Sequence, residues 1–304
     1  MKVFFLLFPF LVFSQQQVAK GMVLDKVTNE PIPYINISIL ESTIGTSSDD
    51  DGSYSLNINE EDVDKNVHLS SLGYKDTTLT VTTFTNLKTI FLKPLAEQLD
   101  EVVISEKFEE KFIEINKIKT KKLRGGFAPG NKPWILALYF PYDKNYSKTE
   151  YLNQLKVYVN RGRLIKRYKS KFRIRIYKVD NNGMPGEDLL MDEIIAETFK
   201  NQKEVIVDLS QHNLTFPSDG LYVALEGLAI PFNAFDDVST YVNTEGEKIS
   251  REVVRYSPSF SATVDKKDKV KVVKFDNGKW YDFKIPLIKK DETFVPAISL
   301  TLSN

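Results

Sequence analysis

The fold of the first third of the chain is decided by the stretch Gly45-Thr46-Ser47-Ser48-Asp49-Asp50-Asp51-Gly52-Ser53-Tyr54-Ser55-Leu56. Three aspartates followed by glycine predict a tight turn, because glycine adopts the positive φ that other residues resist. After the turn, every second residue from Tyr54 to Ile58 is apolar, which is the period of a half-buried strand. The isoleucines from Ile35 to Ile39 show the same alternation. The stretch therefore predicts a β-hairpin.

Further short β patterns surround this hairpin between residues 18 and 92. About seven strands in about 75 residues is the spacing of a β-sandwich. Frequent Val, Ile, Thr, Tyr and Phe favour the same structure, since β-branched and aromatic residues suit strands. The sequence predicts an all-β protein. The added strands are Val18–Leu24, Val67–Leu69, Thr77–Thr83 and Thr89–Leu92.

Five motifs occur in order along this part of the chain: Gly21-Met22-Val23, Pro31-Ile32-Pro33-Tyr34, the hairpin Gly45–Tyr54, Ser70-Ser71-Leu72-Gly73-Tyr74 and the tail Leu99–Ile104. With these motifs, residues 18–105 resemble the carboxypeptidase regulatory-like domain of Bacteroidota envelope proteins. The resemblance implies a seven-stranded, transthyretin-like β-sandwich with no catalytic role of its own. In larger relatives this domain precedes an outer-membrane receptor barrel, but the part of this chain after residue 105 is far shorter than such a barrel.

The first 14 residues have the layout of a secretory signal peptide. Lys2 supplies a positive charge, residues 3–13 form an apolar run, and a small residue follows. We predict cleavage between Ser14 and Gln15. An apolar run of 11 residues is too short to span a bilayer, which takes about 20 residues. We therefore expect an exported protein of the periplasm or the outer-membrane surface, with no transmembrane helix in the mature chain.

Composition excludes several classes of function. Lys+Arg and Asp+Glu both number 41, so the net charge gives no basic excess for binding nucleic acid. Cysteine is absent, which excludes disulfides, thiolate nucleophiles, cysteine-ligated metals and a lipid anchor on cysteine. There are two histidines, His68 and His212, and neither begins a His-x-x-Glu or His-Glu-x-x-His motif.

The second half of the chain carries its own β patterns. Residues 106–133 contain apolar residues at spacings of three and four among many charges, which predicts a charged connector that is partly helical. About nine strands follow, with no sustained helix, and they predict a larger C-terminal β-sandwich of jelly-roll type over residues 134–304. Asp276-Asn277-Gly278 is a strong hairpin turn within it.

No metal site or catalytic motif is predicted. Asp49-Asp50-Asp51-Gly52 lacks the acidic residues that a calcium loop requires at neighbouring positions, because Ser47 and Ile58 occupy them. The chain contains no Gly-x-Ser-x-Gly elbow and no glycine-rich phosphate loop. We expect no cofactor and no enzymatic activity. A hydrolase of unrecognised type, with a carboxylate pair assembled only in the fold, stays as an alternative.

A ligand site is predicted in the C-terminal half, where aromatic rings and carboxylates occur together. Aromatic rings stack on the C–H faces of sugars, while carboxylates accept hydrogen bonds from hydroxyl groups. Residues 231–250 read as a long loop, and long loops in compact domains are often functional. Ordinary packing is the competing interpretation of these side chains. The predicted ligand residues are Phe235, Asp236, Asp237, Tyr241, Trp280 and Tyr281.

The sequence therefore predicts an exported, non-enzymatic protein of the cell envelope. Its role would be that of a structural, adhesion or accessory binding module, with an envelope protein or a glycan as partner. One alternative is a carbohydrate-binding accessory protein that uses the loops of its C-terminal domain.

Overall fold

A computed structural model describes residues 17–95, 110–127, 130–160, 169–285, 287, 289 and 291–304. The predicted signal segment, with Ser14 and Gln15, and the tail Leu99–Ile104 lie outside these ranges. Within them the chain forms 23 β-strands and one short α-helix, which confirms the all-β prediction. Among the described residues, no helix has the length and apolar character needed to cross a bilayer.

The N-terminal unit is a sandwich of seven strands in two sheets, as predicted. One sheet has the order β4-β1-β7, with β7 parallel to β1, and the other has the order β3-β2-β5-β6. Their facing side chains form one core that includes Val23, Ile37, Leu56 and Phe84. The strands are β1 (Gln17–Asp25), β2 (Asn36–Ile39), β3 (Gly45–Ser47), β4 (Ser53–Ile58), β5 (Asn66–Ser70), β6 (Thr77–Thr80) and β7 (Thr89–Leu92).

The aspartate turn before β4 is structural. Gly52 has φ +76°, and a Cβ at this position would lie 2.9 Å from Pro31 Cβ. The carboxylates of Asp49 and Asp51 accept hydrogen bonds from the backbone N–H groups of Asp50 and Ser53. The turn therefore uses its carboxylates to order its own backbone, which supports the interpretation as an exposed turn.

Asp25 ties the end of β1 to the Ser-x-x-Gly-Tyr segment. Its Oδ1 accepts hydrogen bonds from Val27 N at 2.6 Å and Thr28 N at 3.0 Å, and its Oδ2 accepts one from Tyr74 Oη at 2.9 Å. The N–H groups of Thr28 and Val27 hold the pKa of Asp25 below its usual 3.8. Two motif segments that are far apart in the sequence are thus joined by one carboxylate.

Asp25→Asn is expected to reduce the loss in the free energy of unfolding that occurs between about pH 5 and about pH 3. The pKa of Asp25 is lower in the folded chain, so its stabilising contribution exists above the unfolded value of 3.8 and is lost as the pH falls through the folded value. Urea unfolding at about pH 5 and about pH 3 should show a smaller difference for Asp25→Asn than for wild type. Asp64→Asn, at an exposed position, is the matched control. An unchanged pH dependence in Asp25→Asn contradicts this account.

The strand predicted over Thr77–Thr83 is cut short by the only α-helix in the described ranges, α1 (Val81–Asn86). The Oγ1 of Thr80 accepts a hydrogen bond from Thr83 N at 3.1 Å and so caps the first turn. Val81 and Phe84 on the inner face of α1 are buried in the sandwich core. The β-branched threonines favoured a strand, but the cap and the buried helix face decide the structure.

The connector differs from its prediction. Two strands and a 3-10 turn at Thr120–Lys122 occupy its described part, in place of a helix. The first, β8 (Phe112–Ile115), pairs with the last strand of the chain, and the second, β9 (Arg124–Phe127), pairs with another C-terminal strand. A free sheet edge offers backbone hydrogen bonds that the helical spacing of the apolar residues does not reveal. Residues 112–127 therefore belong to the C-terminal sheets, although they precede residue 134, where the C-terminal domain was predicted to begin.

The C-terminal unit is built from four sheets. The largest has the order β13-β12-β16-β10-β20-β21, with β14 also paired to β12. A four-stranded sheet (β15-β11-β23-β8) and a three-stranded sheet (β22-β19-β9) are the next largest, and β17 and β18 form a separate hairpin. The strands are β10 (Trp134–Phe140), β11 (Tyr151–Tyr158), β12 (Lys169–Val179), β13 (Pro185–Asp188), β14 (Ile194–Phe199), β15 (Glu204–Asp208), β16 (Leu221–Gly227), β17 (Ala234–Val242), β18 (Lys248–Tyr256), β19 (Phe260–Lys266), β20 (Val272–Asp276), β21 (Lys279–Asp282), β22 (Glu292–Pro296) and β23 (Ile298–Ser303).

One large core joins the seven-, four- and three-stranded sheets. Phe172 of β12, Leu225 of β16 and Phe260 of β19 are fully buried in it, together with Leu155 and Leu300 of the four-stranded sheet. The nine strands that the sequence predicts in this half coincide with β10, β11, β12, β15, β16, β18, β20, β21 and β23, and β18 begins earlier, at Lys248. The predicted ranges are 134–140, 154–159, 172–179, 205–209, 220–225, 253–256, 270–275, 280–285 and 297–302. Strands β13, β14, β17, β19 and β22 were not predicted.

The two units are joined by polar contacts as well as by apolar ones. Asn36 Nδ2 donates a hydrogen bond to Glu226 Oε1 at 2.8 Å. Backbone and side chain of Ser47 both bond Ala229, at 3.1 and 3.0 Å. Tyr34 packs with Leu228 and Ile230 in a small buried cluster. Because these contacts are directional and buried, they hold the units in one relative orientation.

Candidate functional site

Four of the predicted ligand residues lie on one hairpin strand. Residues 231–250, predicted as a long loop, instead form a 3-10 turn followed by β17 and the start of β18. On β17, Phe235 is buried, Asp237 Oδ2 lies 2.9 Å from Arg255 Nε, and Asp236 is exposed. Tyr241 is 40% exposed, and the guanidinium of Arg251 lies 5.5 Å from the centre of its ring.

The other two predicted residues, Trp280 and Tyr281, lie on β21 and point to opposite faces of the large sheet, because side chains alternate along a strand. Trp280 packs edge-on against Tyr177 and Phe275, with ring centres 5.4 and 5.3 Å apart. Tyr281 pairs across the strands with Lys274. Burial raises the pKa of Tyr281, and Asp276 adds to this shift. The six predicted residues therefore belong to two different sheets.

A cleft of about 280 Å³ opens between the large sheet and β9 of the three-stranded sheet. This is close to the lower limit of small-molecule sites, which hold about 300–1,000 Å³. Its floor is apolar: Leu136 and Phe127 are 1% and 6% exposed. The residues that line it are Gly126, Phe127, Gly130, Asn131, Lys132, Trp134, Leu136, Lys274, Phe283 and Ile285.

Close packing behind the cleft holds its aromatic walls. Trp134 meets the buried ring of Phe260 edge-on at 5.8 Å, and Phe127 lies 6.3 Å from Phe283. At Gly126 a Cβ would lie 2.5 Å from Phe260 O, so only glycine allows β9 to approach β19 this closely. The walls are therefore preformed by core packing.

The carboxylate of Asp276 lies close to several lysines at the more exposed side of the cleft. Lys132 Nζ lies 2.6 Å from Asp276 Oδ1 and donates to Ser42 O at 2.9 Å. Lys274 Nζ lies 3.6 Å from Asp276 Oδ2 and 5.8 Å from the centre of the Phe283 ring. Lys279 is directly opposite Asp276 in the β20–β21 pair. The cationic groups outnumber the carboxylate that compensates them.

A second cavity lies between the two units and is much smaller. It has a volume of about 20 Å³ and is lined in part by His68, Ser38 and Ser70. His68 Nε2 is 3.4 Å from Asp76 Oδ2, and its Nδ1 is 3.3 Å from Thr78 Oγ1. This volume accommodates about one water molecule. A histidine–carboxylate contact is thus present here, without space for a substrate.

A cluster of buried charges lies beneath the junction of the units. Arg173 is fully buried and donates to Glu226 at 2.5 Å and to Glu193 at 2.6 Å. Arg175 donates to both oxygens of Asp188, and burial raises the pKa of Asp188 while Arg175 opposes that shift. The side chain of Glu226 is fully buried and that of Asp188 is 11% exposed, whereas that of Glu193 is 37% exposed. Each of the three carboxylates forms an ion pair with an arginine.

Within the described ranges, no group of three or more His, Asp or Glu side chains is arranged to hold a metal ion. The Nδ1 of His212 lies 2.7 Å from Asp192 Oδ2.

The sequence did not reveal the cleft, because its walls come from three separate segments. Trp134 begins β10, Phe127 ends β9, and Phe283 follows β21. The signal that could have indicated it is the run Gly125–Pro133, rich in glycine and proline, directly before an apolar strand with a tryptophan at its start.

Comparisons with known proteins concern mainly the N-terminal unit. The chain is 36% identical over 92 residues to the TonB-dependent receptor SusC of Bacteroides thetaiotaomicron, a match that covers 30% of this chain. The chain spans about 8% of the length of that receptor.

A solved structure of the cysteine protease and lectin-like domains of Cwp84, a surface layer associated protein of Clostridium difficile, aligns with 57% of this chain and 32% of that one. The sequence identity is 10% and the TM-score is 0.30, so this alignment does not establish a shared fold. A family model described as CarboxypepD_reg-like domain matches residues 19–104. With seven strands in two sheets and motif side chains that hold them together, residues 19–104 are a CarboxypepD_reg-like domain.

Proposed function

We propose that this protein is an exported, non-enzymatic binding protein of the cell envelope, acting as a structural, adhesion or accessory module. The observation that carries the proposal is the cleft beside Trp134, a preformed concave site in a unit that is joined firmly to the CarboxypepD_reg-like domain. The similarity of that domain to part of SusC supports an envelope location, as does the apolar leader. The N-terminal domain would then hold the C-terminal binding unit in a fixed orientation.

The side chains that line the cleft favour ligand binding over catalysis. Aromatic, aliphatic, amide and lysine side chains line it, and its described lining includes neither a histidine nor a carboxylate. Hydrolysis commonly needs such groups as general acid and base. The histidine–carboxylate contact at His68 borders a cavity with space for about one water molecule.

Carbohydrate binding is the second candidate, with the hairpin strand β17 as its surface. The observation in its favour is Tyr241, whose ring is 40% exposed near the tip of the hairpin. Trp280 and Tyr281 are on another sheet and point to its opposite faces, so they do not extend this surface. The two candidates therefore predict different sensitive residues.

Phe283→Ala is expected to weaken retention of the bound envelope component by at least about tenfold, because an aromatic side chain in a binding cleft contributes about 2 kcal/mol or more. The mature chain, beginning at Gln15, would be immobilised and exposed to envelope extract and to a glycan array. Tyr241→Ala and Trp280→Ala are the matched aromatic controls, since neither lines the cleft. Circular dichroism would confirm that each variant is folded.

Each result has a defined meaning. Retention that is lost in Phe283→Ala and kept in Tyr241→Ala supports the cleft. Glycan retention that is lost in Tyr241→Ala supports the second candidate. Failure of the wild-type chain to retain any envelope component, or recovery of the uncleaved chain in the cytosol after fractionation, overturns the proposed function.

A further inference from the structure

We infer that the cleft binds an apolar molecule that carries a carboxylate, such as a medium-length acyl chain with an anionic end. This inference rests on the proposed function and names the ligand chemistry of the same site. It follows from two independent features of the cleft, which are its excess of positive charge and its shortage of hydrogen-bonding side chains.

The charge of the cleft favours an anion. Lys132 and Lys274 both line it, and both ammonium groups share the carboxylate of Asp276. Lys279 lies opposite that carboxylate and adds a third cation. Asp282 of the same strand points to the other face of the sheet, because side chains alternate along β21. At least one positive charge is left for a ligand to neutralise.

The two lining lysines differ in availability. Lys132 is 14% exposed at its side chain, and its ammonium group is held by Asp276 at 2.6 Å and by Ser42 O. Lys274 is 24% exposed, and its ammonium group is 3.6 Å from the nearest oxygen of Asp276. Lys274 therefore has the weaker internal partner, and it is the group that a ligand carboxylate would meet.

The walls favour an apolar body over a sugar. A sugar needs a hydrogen-bond partner for most of its hydroxyl groups, since unpaired buried polar groups cost free energy. Apart from the lysines, the amide of Asn131 and the indole N–H of Trp134 are the only hydrogen-bonding side-chain groups among the described lining residues. Trp134, Leu136, Phe127, Phe283 and Ile285 instead offer apolar surface, whose burial by an apolar chain is favourable.

The position of Lys274 fits a ligand with one charged end. Its ammonium group lies 5.8 Å from the centre of the Phe283 ring, on the more exposed side of the cleft, while Leu136 and Phe127 form the buried floor. An acyl chain that enters towards the floor would leave its carboxylate beside Lys274. The apolar and the charged part of the ligand would each meet matching protein groups.

Binding of decanoate, 1-decanol and glucuronate tests separately the two expected features of the ligand, its negative charge and its apolar chain. The chain has two tryptophans, Trp134 and Trp280, so Trp280→Phe leaves the cleft tryptophan as the only indole reporter. In this background we expect decanoate to change the emission of Trp134 saturably. Decanol, which has the same chain without the charge, should bind about tenfold more weakly, since a charge-assisted pair contributes about 1.4 kcal/mol or more. Glucuronate, which has the charge without the chain, should not saturate the signal.

Lys274→Met removes the charge and keeps an apolar stem. This variant should weaken decanoate binding about tenfold and leave decanol binding unchanged. Lys284→Met is the matched control, because Lys284 is exposed near Phe283 and does not line the cleft. It should leave the binding of both probes unchanged.

Four outcomes would overturn the inference. Equal affinity for decanoate and decanol, or no effect of Lys274→Met, would show that the carboxylate of the ligand is not recognised. Saturable binding of glucuronate alone would show that the ligand need not be apolar. Unchanged Trp134 emission with every probe excludes this class of ligand. It leaves the proposed function standing, because that function is tested separately by retention from envelope extract and by fractionation.

Discussion

Arg173→Met is expected to lower the free energy of unfolding by about 3–5 kcal/mol, because it leaves a buried carboxylate without its main partner. Arg173 and Glu226 are directly opposite each other on β12 and β16, and both side chains are fully buried. Without Arg173, the nearest remaining cation is Arg175, whose Nη1 is 3.9 Å from Glu226 Oε2. The measurement is urea unfolding of wild type and variant at neutral pH.

A double variant distinguishes a lost ion pair from lost packing. Arg173→Met with Glu226→Leu should recover much of the stability, since replacing both members of a buried pair by apolar residues is often close to neutral. Recovery should be incomplete, because Asn36 would lose its acceptor on Glu226. Arg251→Met, at an exposed position, is the control for loss of one arginine. A loss below about 1 kcal/mol in Arg173→Met would show that the buried pair contributes little.

Glu226 also links the two units, so the same variant has a second readout. Its Oε1 accepts hydrogen bonds from Arg173 of the C-terminal unit and from Asn36 of the N-terminal unit. We expect Arg173→Met to make the junction more open to limited proteolysis than Arg251→Met does. The charge cluster would then act as a positioning device for the two units.

Phe260→Ala is expected to destabilise the protein by about 3–5 kcal/mol, the range for removal of a fully buried aromatic ring. Phe260 is 0% exposed and lies between Phe172 at 5.0 Å and Trp134 at 5.8 Å. Its backbone also pairs β19 with β9 at Phe127. Thermal or urea unfolding measures the loss, and Phe260→Leu should lose clearly less because it leaves a smaller cavity.

The control for this prediction is Phe91→Ala, whose ring is 48% exposed on β7. It should change stability by much less, since exposed substitutions usually alter it by about 0.5 kcal/mol or less. Equal losses in Phe91→Ala and Phe260→Ala would contradict the placement of Phe260 in the main core. Because Phe260 supports Trp134 from behind, Phe260→Leu should also alter the emission of that tryptophan.

The N-terminal fold was predictable because its turns and strands are determined by residues close together in the sequence. Gly52 requires a positive φ, the aspartates before it form their own hydrogen bonds, and strict alternation identifies the strands on both sides. The spacing of these β patterns predicted about seven strands, and the resemblance to a known domain implied the same number. The pairing between Asp25 and Tyr74 joins segments about 50 residues apart, and only the structure revealed it.

The second half was less predictable because neighbouring strands decide its structure. Phe112 and Ile115 have the spacing of a helix face, yet β8 pairs with β23 at the edge of a sheet. Residues 234–242 looked like a loop, since Asp236 and Asp237 are poor strand formers, but the continuous pairing with β18 makes them a strand. Propensity was outweighed by the hydrogen bonds of a partner strand in both cases.

The sequence by itself determined the all-β class, the N-terminal sandwich and its turns, because these depend on alternation and on glycine at positive φ over short distances. The tertiary structure alone decided where Trp280 and Tyr281 point, which strands the connector joins, and how Phe127, Trp134, Phe283 and Lys274 come together at one cleft. The physical reason is that a cleft between sheets is formed by side chains from distant segments. Their meeting depends on the order of strands within each sheet, and no local pattern in the chain encodes that order.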